Sequence, residues 1–147
     1  MLRGIDPILS ADLLRVLRAM GHGDEIVVAD ANFPGESNAR ILLRLDGVDA
    51  PRAVRAVLSV MPLDSFVQDR AVSMQVVGDP KQTPPVVALF QRVIDEVADN
   101  PAAITPVERF AFYERARNAF AIIQTGERRF YGNLILKKGV IAPPAED

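Results

Sequence analysis

The one histidine of this 147-residue chain, His22, sits between Gly21 and Gly23 in MGHGDEIVVADANFPG, residues 20–35. An unperturbed imidazole titrates at about pH 6.5, so it can both give and take a proton near neutrality. Its glycine neighbours allow close approach of a ligand and backbone angles denied to other residues. Asp30 ends the apolar run that follows, at the carboxyl end of a strand, where open α/β sheets bind ligands. The two residues suggest acid–base chemistry, with Asp30 as the partner of His22. A plainer reading is also open, in which an imidazole just past a helix interacts with the last carbonyls as a C-cap.

A second chemical cluster is Tyr131-Gly132-Asn133, a phenol, an unhindered backbone and a carboxamide ahead of an apolar run. A hydroxyl-rich ligand would use that mixture of donors and acceptors, and a tight turn would use the same residues. Asp64 in PLDSF reads as a turn or cap residue, and Asp24 and Glu25 read as a solvated turn. Tyr113 lies among Phe110, Phe112 and Phe120 and reads as core packing. Arg109 and Arg115 read as exposed helix charges. GHGD is no dinucleotide fingerprint, because its glycines follow a helix, precede a strand and lack a third member. No P-loop or Gly-x-Ser-x-Gly elbow occurs. One histidine with scattered carboxylates is a weak ligand set, so no metal site is expected.

These residues need a scaffold, and the hydrophobic period switches repeatedly between helical and strand spacing, which argues α/β. Ser10 can cap a helix that carries Leu13, Leu14, Leu17 and Met20 on one face and stops at Gly21. EIVVAD reads as a buried strand, and NARILLRL as another, ending near Leu45. APRAVRAVLSVM places Val54, Val57, Leu58 and Met61 at helical spacing, with Pro51 in the first turn. AVSMQVV, residues 71–77, reads as a strand, and Thr83 with Pro84 opens a helix carrying Val86, Phe90, Val93 and Val97. TPVE, residues 105–108, has capping-box spacing ahead of a further helix. AFAIIQTGE and NLILKKG complete the strands. The expectation is one domain over residues 1–147, a three-layer α/β/α fold with a mixed, largely parallel sheet, and residues 141–147 a flexible tail.

At 49 % apolar and 24 % charged residues the composition is that of a soluble globular domain. Seventeen basic against 19 acidic residues give a net charge of −2. The scattered arginines form no stripe that would neutralise a nucleic-acid backbone, so that class is set aside. Without cysteine there is no disulfide, no thiolate nucleophile and no cysteine zinc site. MLRGIDPILSADLL has no long apolar region and no window approaches a membrane span. The expectation is a cytoplasmic protein without membrane contact.

Four pieces together resemble the L-fucose mutarotase / D-ribose pyranase family: LLRVLRAMGHGDEIVVADANFP, PLDSF, ERFAFYERARNAFAIIQTGE and YGNLILKKGV. They run in order over nearly the whole chain, and ERFAFYERA is similar to the fucose branch. Two departures are Tyr131-Gly132-Asn133, where Tyr-Ala-Asn is usual, and Asn32, where some bacterial members have histidine. The resemblance implies a cofactor-free isomerase acting on the anomeric carbon of a free monosaccharide, L-fucose foremost. It implies His22 as the catalytic proton donor and Asp30, Arg109, Tyr131 and Asn133 as sugar contacts, with Asp64 and Tyr113 added from the animal-type members. It also implies a homo-oligomeric ring, commonly a decamer of two stacked pentamers, with sites completed by a neighbouring subunit. Ribose pyranose–furanose interconversion, a non-catalytic sugar-binding or transport accessory role, and a structural ring with a capping histidine are the alternatives.

Overall fold

The computed structural model describes residues 1–146, and Asp147 lies outside the described residues. The first helix, α1, spans Ala11–Ala19 and begins where the sequence places it, with the Ser10 side chain accepting from the Leu13 amide. Its Leu13, Val16 and Leu17 are buried. The far end is closed by Lys138, whose ammonium donates to the carbonyls of Leu17 (2.7 Å) and Met20 (2.6 Å). The helix cap that His22 could have supplied is therefore occupied by a lysine 118 residues from Met20.

Strand β1, Glu25–Ala29, follows at once, then the short helix α2 (Gly35–Asn38) and β2 (Leu42–Leu45). Helix α3 (Ala50–Leu58) is capped by the Asp49 side chain and carries proline in its first turn. Strand β3 (Ala71–Met74), helix α4 (Pro85–Val97), strand β4 (Thr105–Val107), helix α5 (Arg109–Asn118), and strands β5 (Ala121–Thr125) and β6 (Leu134–Lys137) complete the order. The six strands form one sheet in the order β2-β5-β1-β6-β3-β4. β2, β5 and β1 are parallel neighbours, as are β3 and β4, and β6 runs antiparallel between β1 and β3.

Strand alternation divides the core in two. Ile26, Val28, Ile123, Leu134 and Leu136 meet α1, α3 and α4 through side chains such as Leu13, Val54, Val57 and Phe90. Val27, Ala29, Ile122 and Ile135 face the other way, toward Phe33 and the Phe112 and Ala116 side of α5. Each fully buried aliphatic or phenyl side chain contributes about 1.5–3 kcal/mol relative to exposure. The sheet is thus covered on both faces, and the three-layer, mixed and largely parallel arrangement expected from the sequence is the one observed.

Three local expectations differ from the structure. Thr105–Val107 is a strand on the sheet edge, where the Gln75 amide bonds the Val107 carbonyl, and no capping box. Glu108 itself caps α5, accepting from the Phe110 and Ala111 amides. Strand β3 stops at Met74, because Val76 and Asp79 pair across a turn. Helix α4 starts at Pro85 after Pro84, without a side-chain cap from Thr83.

Candidate active site

The candidate residues fall into two groups at opposite ends of the sheet. His22 lies in the turn between α1 and β1. The Gly21 amide bonds the Asp24 carboxylate (2.7 Å), the Asp24 amide bonds the Gly21 carbonyl, and Gly23 takes the left-handed φ of +86° that its lack of a side chain permits. Asp24 is the turn residue the sequence suggests. Glu25 is not solvated: it pairs with Arg115 (2.5 Å), which also meets Asp69 (3.0 Å), so neither Glu25 nor Arg115 is a free surface charge.

His22 Nε2 lies 3.1 Å from Asp64 Oδ1, with the imidazole 45 % and the carboxylate 3 % exposed. The ring packs at 5.1 Å and 55° against Phe66, itself exposed. Asp64 is held by its neighbours: its amide bonds the Lys137 carbonyl (3.0 Å) and its carboxylate accepts from the Phe66 amide (3.1 Å). Burial works against its charge, but the Phe66 amide and the His22 imidazole outweigh that and hold the carboxyl below the usual aspartate value. A buried carboxylate under a half-exposed imidazole fixes the ring's direction while leaving it open to a reactant.

The partnership expected between His22 and Asp30 is absent within one chain. The first precedes β1 and the second follows it. A five-residue strand at about 3.3 Å per residue separates its ends by roughly 15 Å. Local spacing gave no sign that the partner would be Asp64, 42 residues away.

Asp30, Tyr131, Asn133, Arg109, Tyr113 and Asn32 gather at the other end around an open cavity of about 300 Å³. Asp30 is 5 % exposed. Its amide donates to Asn133 Oδ1 (2.8 Å), and its carboxylate accepts from Asn133 Nδ2 (3.1 Å) and the Asn32 amide (3.0 Å). Burial dominates all the same and pushes the Asp30 carboxyl above the usual aspartate value. Tyr131 has φ +62°, the single non-glycine residue with positive φ among the described residues, a strain of order 1 kcal/mol or more. Its hydroxyl accepts from the Val77 amide (3.1 Å). Tyr113 packs on Phe33 (ring centroids 5.5 Å apart) as core reasoning suggested, and it also lines the cavity. The Arg109 guanidinium lies 4.7 Å over the Phe110 ring.

Three supporting residues escaped the sequence reading because each acts on main-chain groups distant in sequence. Gln124 on β5 donates to the Phe33 carbonyl (2.6 Å) and reaches the carbonyls of Asp30 and Ala31, which shapes the loop after β1. Thr125 Oγ1 donates to the Ala29 carbonyl (2.8 Å). Glu127 binds the Arg129 guanidinium and amide and the Ala50 amide, and its carbonyl accepts from Ala31. Arg129, more than burial can oppose, lowers the Glu127 carboxyl to about 2. Among the described residues no three acidic or imidazole groups converge as they would around a metal ion.

A model of the RbsD / FucU transport protein family matches residues 3–141. The fucose mutarotase of Danio rerio is 45 % identical, over 97 % of this chain and 95 % of that protein. The L-fucose mutarotase of Actinobacillus pleuropneumoniae is 40 % identical, over 95 % of this chain and 97 % of its own length. The crystal structure of the fucose mutarotase of Streptococcus pneumoniae in complex with L-fucose superposes with a TM-score of 0.88 at 43 % identity, over 96 % of this chain and 100 % of that one.

Proposed function

The chain belongs to the RbsD / FucU transport protein family, and on that premise we propose that it is an isomerase interconverting the α and β anomers of L-fucose. Mutarotation opens the hemiacetal: the ring oxygen gains a proton, the anomeric hydroxyl loses one, the C1 aldehyde rotates, and the ring closes on its other face. A well-placed acid or base contributes about 10²–10⁴-fold to such a step. The reaction also proceeds in water, so positioned side chains suffice for it.

In this reading the sugar occupies the cavity at the Asp30 end. Asp30 and Tyr131 bind its hydroxyls, Arg109 closes the rim, and Asn133 holds the Asp30 carboxylate in place. His22, oriented by Asp64, protonates the ring oxygen, and Tyr113 relays the second proton. The observation that carries this reading is the separation itself. One chain supplies a sugar-sized polar cavity and an oriented imidazole, but at opposite ends of β1. The site is then completed by His22 of a second copy seated at the cavity of the first.

Such a head-to-tail contact closes into a ring when its rotation permits, and we take the assembly to be a decamer of two stacked pentamers. Support comes from exposed apolar side chains beside both half-sites, Phe66 at the imidazole and Phe130 and Val77 at the cavity rim. No helix among the described residues is long and apolar enough to cross a membrane. We place the protein in the cytoplasm, where free monosaccharides enter metabolism.

Saturation-transfer NMR on L-fucose tests the reading. Exchange between the anomer signals should accelerate with protein and fall by about a hundredfold or more in His22→Ala. Saturable binding without faster exchange would leave only a sugar-binding protein. Response of ribose pyranose–furanose peaks alone would move the activity to the other branch. Wild-type exchange in a folded His22→Ala assembly would overturn the role of the imidazole.

A further inference from the structure

Tyr131 is bound to the protein through its oxygen and not through its proton. The Val77 amide donates to the phenol oxygen at 3.1 Å, and among the described residues no acceptor takes the phenolic hydrogen. A neutral phenol has one hydrogen to give and two lone pairs to offer. A main-chain N–H can only donate, so this contact fixes which role Tyr131 plays toward the protein. Both residues line the cavity that also holds Asp30 and Asn133.

The backbone makes the arrangement firm on both sides. Tyr131 is pinned in the left-handed region at φ +62°. Val77 is the second residue of a four-residue turn, closed by the Asp79 amide on the Val76 carbonyl (3.1 Å), and Gly78 follows at φ +80°. A left-handed third residue is the signature of a type II turn, which accepts proline at its second position and glycine at its third. The Val77 amide is then free to point away from the turn, toward the phenol.

Resting on the sugar-binding reading above, we infer that the Val77 amide is a positioning group that orients the Tyr131 hydroxyl so that its hydrogen is presented to a sugar oxygen. Tyr131 thereby presents its hydrogen to an acceptor in the cavity, and the loop 76–79 takes part in sugar binding through its main chain. No side-chain pattern would betray it.

Proline at position 77 deletes the amide while keeping the turn geometry, which makes Val77→Pro the informative variant. Val77→Ala keeps the amide and removes only the exposed side chain. Loss of one neutral hydrogen bond predicts that KM for L-fucose anomer exchange rises about five-fold in Val77→Pro relative to Val77→Ala, with kcat little moved. Tyr131→Phe should raise KM by at least as much, and adding Val77→Pro to it should cost nothing further, because the amide acts only through the phenol. Equal KM values in Val77→Pro and Val77→Ala, with Tyr131→Phe impaired, would overturn the positioning role and leave the sugar site standing. An unimpaired Tyr131→Phe would instead count against the sugar site. Should Val77→Pro fail to assemble, hydrogen exchange at the Val77 amide gives the second readout. Exchange should quicken in Tyr131→Phe, and unchanged protection would overturn the contact.

Discussion

The two ends of β1 are built on different principles. At the end that bears His22 the imidazole is half exposed, makes one polar contact, and rests on a buried carboxylate and an exposed phenyl ring. At the Asp30 end, Gln124 ties down three main-chain carbonyls and Asn133 the Asp30 carboxylate, beside a strained tyrosine held by the Val77 amide. The first end is a projection and the second a socket. The contrast extends to charge, since the Asp64 carboxyl is held below the usual aspartate value and that of Asp30 above it. Two carboxyl groups of one type are thus shifted in opposite directions, Asp64 by the Phe66 amide and the His22 imidazole, Asp30 by burial.

The contrast breaks most visibly if projection and socket work together inside one subunit. Co-expressing His22→Ala with Asp30→Asn, each inactive alone, should restore about one quarter of wild-type anomer exchange, because a random head-to-tail assembly pairs two intact halves at that frequency. No recovery in verified mixed assemblies would return both halves to one chain. A smaller effect probes the support beneath the projection. Asp64→Asn keeps an acceptor for the Phe66 amide but removes the charge, so kcat should drop about tenfold to a hundredfold with KM unchanged. A change in KM alone would make Asp64 part of the socket.

The smallest effect tests the socket's scaffold through pH. The folded-state value of Glu127, about 2, lies below the reference 4.5. Its contribution is therefore full above about pH 4.5 and is lost as pH falls toward about 2. Asp30, raised by burial, has the opposite sign: what it contributes is present at low pH and lost as pH rises through its raised value. Denaturant unfolding of Glu127→Gln should show a deficit of roughly 2 kcal/mol near neutrality, after allowance for the half-exposed Arg129, narrowing steadily toward pH 2. A deficit independent of pH would mean that the carboxylate's charge is irrelevant to the socket.

The scaffold was largely legible because its signals are local. Ser10 caps α1, apolar runs mark β1, β5 and β6, and Pro51 stands in the first turn of α3. Local signals failed where tertiary pairing overrode them. The spacing of Thr105–Glu108 satisfies a helix cap, yet three of those residues complete the sheet edge beside β3. Helix α2, with four residues after a proline, has too few positions to show a period. The candidate site residues were nominated by type and by resemblance, whereas their partners were not. Asp64 under His22, Lys138 on the end of α1 and Gln124 on the loop after β1 are all contacts between distant parts of the sequence. A residue whose partner is a main-chain carbonyl or amide leaves no mark in side-chain pattern.

The reversed direction of β6 has one more consequence. Because this strand alone runs against its neighbours, Asn133 at its start stands by Asp30, and Lys138 just past its end stands by α1 and the segment of Asp64. Four strand residues therefore act as a gauge block between the two ends of the molecule. Rim residues can drift without altering that gauge, but adding or deleting one residue inside β6 would turn Ile135 toward the opposite core and change the span that a second copy would have to match in the proposed assembly. The length of β6, more than any single side chain, is the dimension this architecture cannot vary.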